Sequence, residues 1–161
     1  MDEPINNLSD LKLTLDKLFS SDSKSLSSEA FRKVLSNYIG DDWKTFVNIN
    51  HDKYSREIVL RNENYEIIII TWDKKQASHV HNHPSNGCLM KILHGTLLEE
   101  QYCTQTCCKT NELVYDKNNI SYIDNLTCYH RIVNNTENHA VSLHIYSPPN
   151  YIPAIFEKIE K

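Results

Sequence analysis

His81 and His83 lie one residue apart, either side of Asn82, in a segment that reads as extended chain. Side chains two apart on a strand point the same way, so the pair can offer two imidazoles to one metal ion. The third imidazole has to come from elsewhere, and His130, which opens the run His130-Arg131-Ile132-Val133-Asn134, is the candidate. Three neutral imidazoles on one side of an ion leave its other positions open to a substrate. No carboxylate stands where it could complete a two-histidine, one-carboxylate set; Asn82 and Pro84 flank the pair instead. A His-x-His pair alone is a weak signal that also fits a polar loop cluster, so its weight depends on its surroundings.

Ser142, His144 and Tyr146 alternate, which puts them on one face of a strand where they can form a hydrogen-bonded line. If that face is a barrel interior beside a metal, Tyr146 stands at the metal end and His144 orients it. Without the metal histidines the same three residues read as a satisfied polar stripe in a core. Arg56 has the planar fork that matches a carboxylate, although a lone arginine at a strand start is more often a surface charge. Cys128, two before His130, is expected to be an inert buried thiol, with a competing soft metal ligand as the alternative. Cys103, Cys107 and Cys108 fall in a polar hairpin loop. Three thiols without a local histidine do not make a zinc site, so exposed, oxidation-prone cysteines are expected there.

The elements that must position these residues change character along the chain. Ser9 and Asp10 can cap a helix carrying Leu11, Leu13, Leu15, Leu18 and Phe19. Ser27 opens a second, with Phe31, Val34, Leu35 and Tyr38 on its buried side and Gly40 as its stop. A short third turn spans 43–47. From Arg56 onward, segments rich in Ile, Val, Tyr and Thr alternate with turn residues every eight to twelve positions, as in a β-sandwich or barrel. The expected strands are 56–60, 65–72, 87–94, 96–102, 112–116, 120–124, 128–134 and 140–146. Turns are expected at 62–64, 94–95, 117–119 and 135–137. With only three glycines in the chain, asparagine is expected at many left-handed positions.

The 161 residues suffice for one domain, helical over 1–50 and β-barrel over 51–161. A hydrophobic share of 40% with 24% charged residues is globular rather than disordered composition. A net charge of −4 and no Lys/Arg run argue against a nucleic-acid partner. The polar, acidic start is not a signal peptide, and the aliphatic run 67–70 is far too short to span a bilayer. A cytoplasmic protein, a monomer without membrane partners, is the resulting expectation. Five cysteines, an odd count, argue against a disulfide framework.

The order His81-x-His83, Cys88, Gly95 and then His130-x-x-x-Asn134 resembles the two sequence motifs of the cupin superfamily, with Cys88 where that pattern usually has a glutamate ligand. Adding Ser142-x-His144-x-Tyr146-Ser147-Pro148-Pro149, Tyr54-Ser55-Arg56 and Trp72 after the isoleucine run, the chain resembles eukaryotic-type cysteine dioxygenases over about residues 40–150. The resemblance implies a mainly β fold, a cupin (jelly-roll) β-barrel with two to three N-terminal α-helices. It implies Fe(2+) on His81, His83 and His130, and L-cysteine and O2 as substrates. Both oxygen atoms would join the thiol sulfur, giving cysteine sulfinic acid, the first step of cysteine catabolism towards taurine and sulfate. It also implies a thioether between Cys88 and Tyr146, with His144 and Ser142 behind the tyrosine. Arg56 would anchor the substrate carboxylate, with Tyr54 and Trp72 nearby, and the Ser147-Pro148 bond would be cis.

Two departures bear on thiol selectivity. Gly87 stands where mammalian relatives have a histidine. The chain carries only an apolar segment, 151–156, where relatives commonly continue with further strands; this segment is apolar enough to dock on the barrel. The competing readings are a dioxygenase of another small thiol, such as 3-mercaptopropionate or cysteamine, and a catalytically silent cupin that binds a metal or small ligand.

Overall fold

Leu8, Leu11, Leu15 and Phe19 recur at helical spacing, and in the computed structural model, which describes residues 3–21 and 25–157, they form the buried face of helix α1 (Leu8–Phe19). Its N-cap is Asn7, not the expected Ser9 or Asp10. Asn7 is extended, at φ −154°, so its side chain can accept from the Asp10 backbone N–H at 2.8 Å. Helix α2 (Glu29–Asn37) buries Phe31 and Leu35 and ends before Gly40, because Tyr38 turns extended and bridges Ile5 in parallel. The expected third turn is a 3-10 helix, Asp42–Phe46.

Ten strands follow: β1 (Ser55–Arg61), β2 (Glu66–Trp72), β3 (Val80–His81), β4 (Cys88–His94), β5 (Thr96–Tyr102), β6 (Lys109–Asp116), β7 (Ile120–Ile123), β8 (Tyr129–Val133), β9 (Ala140–Tyr146) and β10 (Ile155–Phe156). Eight correspond to expected strands. β3 and β10, two residues each, are too short to leave a periodic signal and exist because they pair with each other and β3 with β8. One sheet has the order β1-β2-β9-β4-β7 and the other β10-β3-β8-β5-β6, all antiparallel. Facing each other, they make the expected mainly β jelly-roll barrel. The Ser147-Pro148 bond is cis, as expected.

Two apolar clusters sit either side of the first sheet. Ile67 and Ile69 of β2, Leu89 and Leu93 of β4, and Val141, Leu143 and Ile145 of β9 meet the helices through Leu11, Leu15, Phe31 and Leu35. The alternate residues Ile68, Ile70 and Trp72, Cys88, Met90 and Ile92, and Ala140 and Tyr146 fill the barrel. An unbroken isoleucine run is therefore a strand buried on both faces. Lys91 lies on the helix side of β4, where its ammonium donates to the carbonyls of Leu35 (2.9 Å), Ser36 (3.1 Å) and Tyr38 (2.6 Å), capping the end of α2.

Asparagine takes fewer left-handed positions than expected: Asn118 and Asn150 have positive φ, but so do Lys75, Cys107, Gly87 and Gly95. Asparagine serves elsewhere through its side chain. Asn62 Oδ1 accepts from the N–H groups of Asn64 and Tyr65, making the β1–β2 turn without left-handed backbone.

Candidate metal centre

The three histidines come together because β3 and β8 pair with His81 opposite His130. Their ligand atoms lie within 4.8 Å of one another, and among the described residues they form the one such group of three. Strand alternation explains only part of this. β3 stops at His81, so His83 lies in the following loop and is held there by other contacts. Its backbone N–H donates to Asn125 Oδ1 and its carbonyl accepts from Asn125 Nδ2, both at 2.8 Å. Asn82, between the two histidines, is clamped in turn. Its Oδ1 accepts from the Tyr151 hydroxyl at 2.7 Å and the Ala154 N–H at 2.8 Å, so the apolar tail does dock on the barrel. Phe156 stacks on Tyr129 at 4.3 Å beside it.

At two of the three imidazoles a partner on the outer nitrogen decides which nitrogen faces inward. His81 Nδ1–H donates to the His79 carbonyl at 2.8 Å, which leaves Nε2 as the ligand atom. His130 Nδ1–H donates to Glu99 Oε1 at 2.7 Å, with the same result, and the two Nε2 atoms stand 3.1 Å apart. Both ring nitrogens of His83 are buried without a hydrogen-bond partner. Burial of that kind costs about 1–3 kcal/mol per group unless something satisfies it, and a metal at the triad would satisfy one of the two nitrogens. Burial is also the main reason all three histidines are held below the ordinary imidazole range, His83 and His130 strongly so; repulsion from the neighbouring triad rings adds to it at His83 and His130, and the Arg56 and His79 charges at His81. They are therefore neutral, and their lone pairs are available to a cation.

Glu99 was not legible as a site residue. It lies diagonally across the β5–β8 pairing from His130, fully buried, and also accepts from Tyr115 (3.1 Å), Gln101 (3.2 Å) and Ser121 (3.3 Å). Burial raises its pKa, and these hydrogen bonds counter that rise. The available signal was its place on the Leu97 face of β5, but Glu100 beside it carries the same side chain on the opposite face. No carboxylate joins the three histidines among the described residues, in line with the sequence; Glu99 acts on a ligand instead.

The expected polar line on β9 is present and fully buried. Trp72 Nε1–H donates to Ser142 Oγ at 2.9 Å, Ser142 Oγ meets His144 Nε2 at 2.8 Å, and His144 Nδ1 meets the Tyr146 hydroxyl at 3.2 Å. With Ser142 donating to Nε2, His144 carries its proton on Nδ1 and donates it to Tyr146, leaving the phenol proton free to face the cavity. Cys88 is the register partner of Tyr146 across β4 and β9, and its Sγ lies 3.9 Å from His144 Nδ1. Burial pushes both Cys88 and Tyr146 upward and outweighs the nearby Arg56 charge, so both stay protonated.

Arg56 is exposed at the start of β1, its guanidinium carbon 5.7 Å from the centre of the Tyr146 ring. Tyr54 stacks on Trp72 at 4.5 Å. Tyr54 and Arg56 also line an open cleft of about 820 Å³ that reaches His79. Gly87 has a local cause: at φ +86° a Cβ there would come within 2.6 Å of the Tyr122 ring, which fills the space a side chain would need. Cys128 is buried in the barrel cluster outside the ligand group, with its pKa pushed up to about 11.

The family described as cysteine dioxygenase type I matches residues 5–158. The chain is 29% identical over 151 residues to cysteine dioxygenase type 1 of Homo sapiens, covering 88% of this chain and 74% of that protein. It is 32% identical over 153 residues to the Danio rerio protein of the same name, covering 88% and 75%. A solved double-stranded β-helix domain protein from Klebsiella pneumoniae superposes with a TM-score of 0.62 at 16% identity, over 73% of this chain and 96% of that one, which shows the shared cupin fold.

Proposed function

This chain belongs to the cysteine dioxygenase type I family and is a metal-dependent thiol dioxygenase, and from that premise we propose that its thiol is L-cysteine and its metal Fe(2+), the product being cysteine sulfinic acid. The observation that carries the choice of thiol is Arg56 over the Tyr146 ring, on the side of the barrel where Tyr54 and Trp72 stack. L-Cysteine and 3-mercaptopropionate both have a carboxylate for Arg56 to hold and cysteamine has none, so Arg56 argues against cysteamine and the assay decides between the other two.

The donor set suits the metal: three neutral imidazoles, two of them fixed with Nε2 inward, and one buried ring without any other partner. When bound, ferrous iron supplies the electron-transfer chemistry that lets O2 react with a thiol. The protein's own share is positioning. Arg56 takes the substrate carboxylate. Tyr146, oriented through His144, Ser142 and Trp72, offers its phenol proton to the carboxylate or to oxygen as charge develops there. Trp72, Ile68 and Ile70 on the neighbouring strand line the interior with apolar surface that keeps water from the reacting thiol. The opposed Cys88 and Tyr146 are the pair for a thioether. Forming that C–S bond removes the thiol hydrogen and one ring hydrogen, the two electrons and two protons passing to O2. It would fix the phenol ring without altering the rest of the hydrogen-bonded line.

Oxygen uptake by iron-loaded protein with L-cysteine, 3-mercaptopropionate and cysteamine tests the reading, with L-cysteine the preferred substrate. Arg56→Ala should raise KM for cysteine and lower kcat/KM by roughly 10- to 150-fold, the worth of a charged hydrogen-bonded contact of about 1.5–3 kcal/mol, while leaving bound iron unchanged. Activity confined to cysteamine or to 3-mercaptopropionate would sink the assignment.

A further inference from the structure

The hairpin joining β5 to β6 holds Cys103, Cys107 and Cys108 within six residues, and thiol oxidation in the barrel uses none of them. All three are partly exposed, and they do not gather as a metal site: among the described residues the triad is the group of three. The backbone treats them differently. β5 and β6 pair as far as Tyr102 opposite Lys109, and the next pair out is Cys103 and Cys108, joined by the Cys103 N–H donating to the Cys108 carbonyl at 2.9 Å. Residues facing each other across such a ladder have Cα atoms about 4.5–5.5 Å apart and side chains on one face. That separation falls within the roughly 4.4–6.8 Å a disulfide spans.

Both sulfurs meet at Thr106. Cys108 Sγ lies 3.7 Å from the Thr106 carbonyl, and the Thr106 hydroxyl with the N–H groups of Gln105 and Thr106 are the donors that favour a Cys103 thiolate. Those donors hold the Cys103 thiol below its ordinary range, which makes it the readier nucleophile of the two. Cys107 sits apart at the corner of the turn, at φ 54°, its N–H donating to the Cys103 carbonyl at 2.9 Å. Its Cα is about 3.8 Å from that of its neighbour Cys108, too close for an ordinary bridge.

We propose that Cys103 and Cys108 form a reversible disulfide across the hairpin neck, a redox-modification site whose oxidant is a low-molecular-weight disulfide. The Cys103 thiolate attacks that disulfide, releasing one small thiolate and forming a mixed disulfide on Cys103. Cys108 loses its proton and attacks the mixed disulfide at the Cys103 sulfur, releasing the second small thiol. Two protein thiols are oxidised and one small disulfide is reduced to two thiols, so atoms and electrons balance. The clip thereby follows the ratio of small disulfide to small thiol, and it stands whether or not the barrel oxidises cysteine.

The test equilibrates the full chain with glutathione buffers of rising oxidised fraction, alkylates free thiols and weighs the tryptic peptide 92–109, which holds these three cysteines and neither Cys88 nor Cys128. The expected peptide has lost two hydrogens, carries one alkylated cysteine, and takes three alkyl groups after treatment with dithiothreitol. Cys107→Ser should close as wild type does. Cys103→Ser and Cys108→Ser should lose closure at least about tenfold and keep a glutathione adduct. Three alkylated thiols in the most oxidising buffer, or closure as complete in Cys103→Ser or Cys108→Ser as in wild type, would overturn the proposal.

Discussion

The two faces of β9 are equally buried and do opposite work. Val141, Leu143 and Ile145 face the helices with no polar atom to satisfy. One residue out of phase, Ser142, His144 and Tyr146 face the barrel, and each polar atom finds a partner. The outer face holds α1 and α2 to the sheet through area removed from water, which does not depend on direction. The inner face depends wholly on direction: a buried donor or acceptor left unmatched costs more than the apolar contact it replaces. Strand period alone decides which role a residue has, so a one-residue slip would put leucine at the metal and histidine against the helices.

Substitutions on the two faces should therefore separate chemistry from stability. The largest effect is expected at the metal. His130→Ala should lower metal affinity by more than about 100-fold, beyond the roughly 10- to 100-fold typical of losing a ligand's outer partner, and abolish thiol oxidation in a protein that remains folded. Metal content after dialysis, with circular dichroism as the control, checks this. On the outer face, Leu143→Ala should cost about 2–5 kcal/mol in denaturant unfolding, while chain that is still folded keeps its metal. If Leu143→Ala removed the metal at unchanged stability, the division between faces would be wrong.

Glu99 sharpens the contrast from the second sheet. Glu99→Leu removes the acceptor for His130 Nδ1–H and should weaken metal binding about 10- to 100-fold. Glu99→Gln, which keeps an acceptor oxygen, should recover part of that loss. Equal loss in both variants would mean that Glu99 acts by filling space.

A last effect is on pH. The histidines of the triad and His144 are held below the ordinary value of about 6.5 by burial, so once the pH falls below that value the unfolded chain binds more protons than the folded one. The metal-free protein should therefore keep its full stability above about pH 6.5 and lose it steadily below, by up to about 1.4 kcal/mol per pH unit for each histidine that stays neutral in the folded state. Urea midpoints between pH 5 and 8 measure this, and a flat profile would contradict neutral buried rings.

The polar line on β9 was legible because Ser142, His144 and Tyr146 obey the strand period, and the triad because His-x-His and a distant histidine carry a recognisable pattern. What held His83 in place was not. Asn125 reaches it across 42 residues, and Tyr151 and Ala154 clamp Asn82 through contacts with no local signal. The start of α1 is hidden for a similar reason: Asn7, Ser9 and Asp10 are all capping types, and only the backbone angle at the cap decides among them. Periodic burial can be read along a chain, whereas pairing across it must be seen.

The most direct test of the central claim is L-cysteine-dependent oxygen uptake measured as metal-free protein is titrated with Fe(2+) under anaerobic loading. Uptake should rise in proportion to bound iron, saturate at one iron per chain, and consume one O2 for each cysteine sulfinic acid formed. Full iron occupancy on His81, His83 and His130 without cysteine-dependent uptake would contradict it.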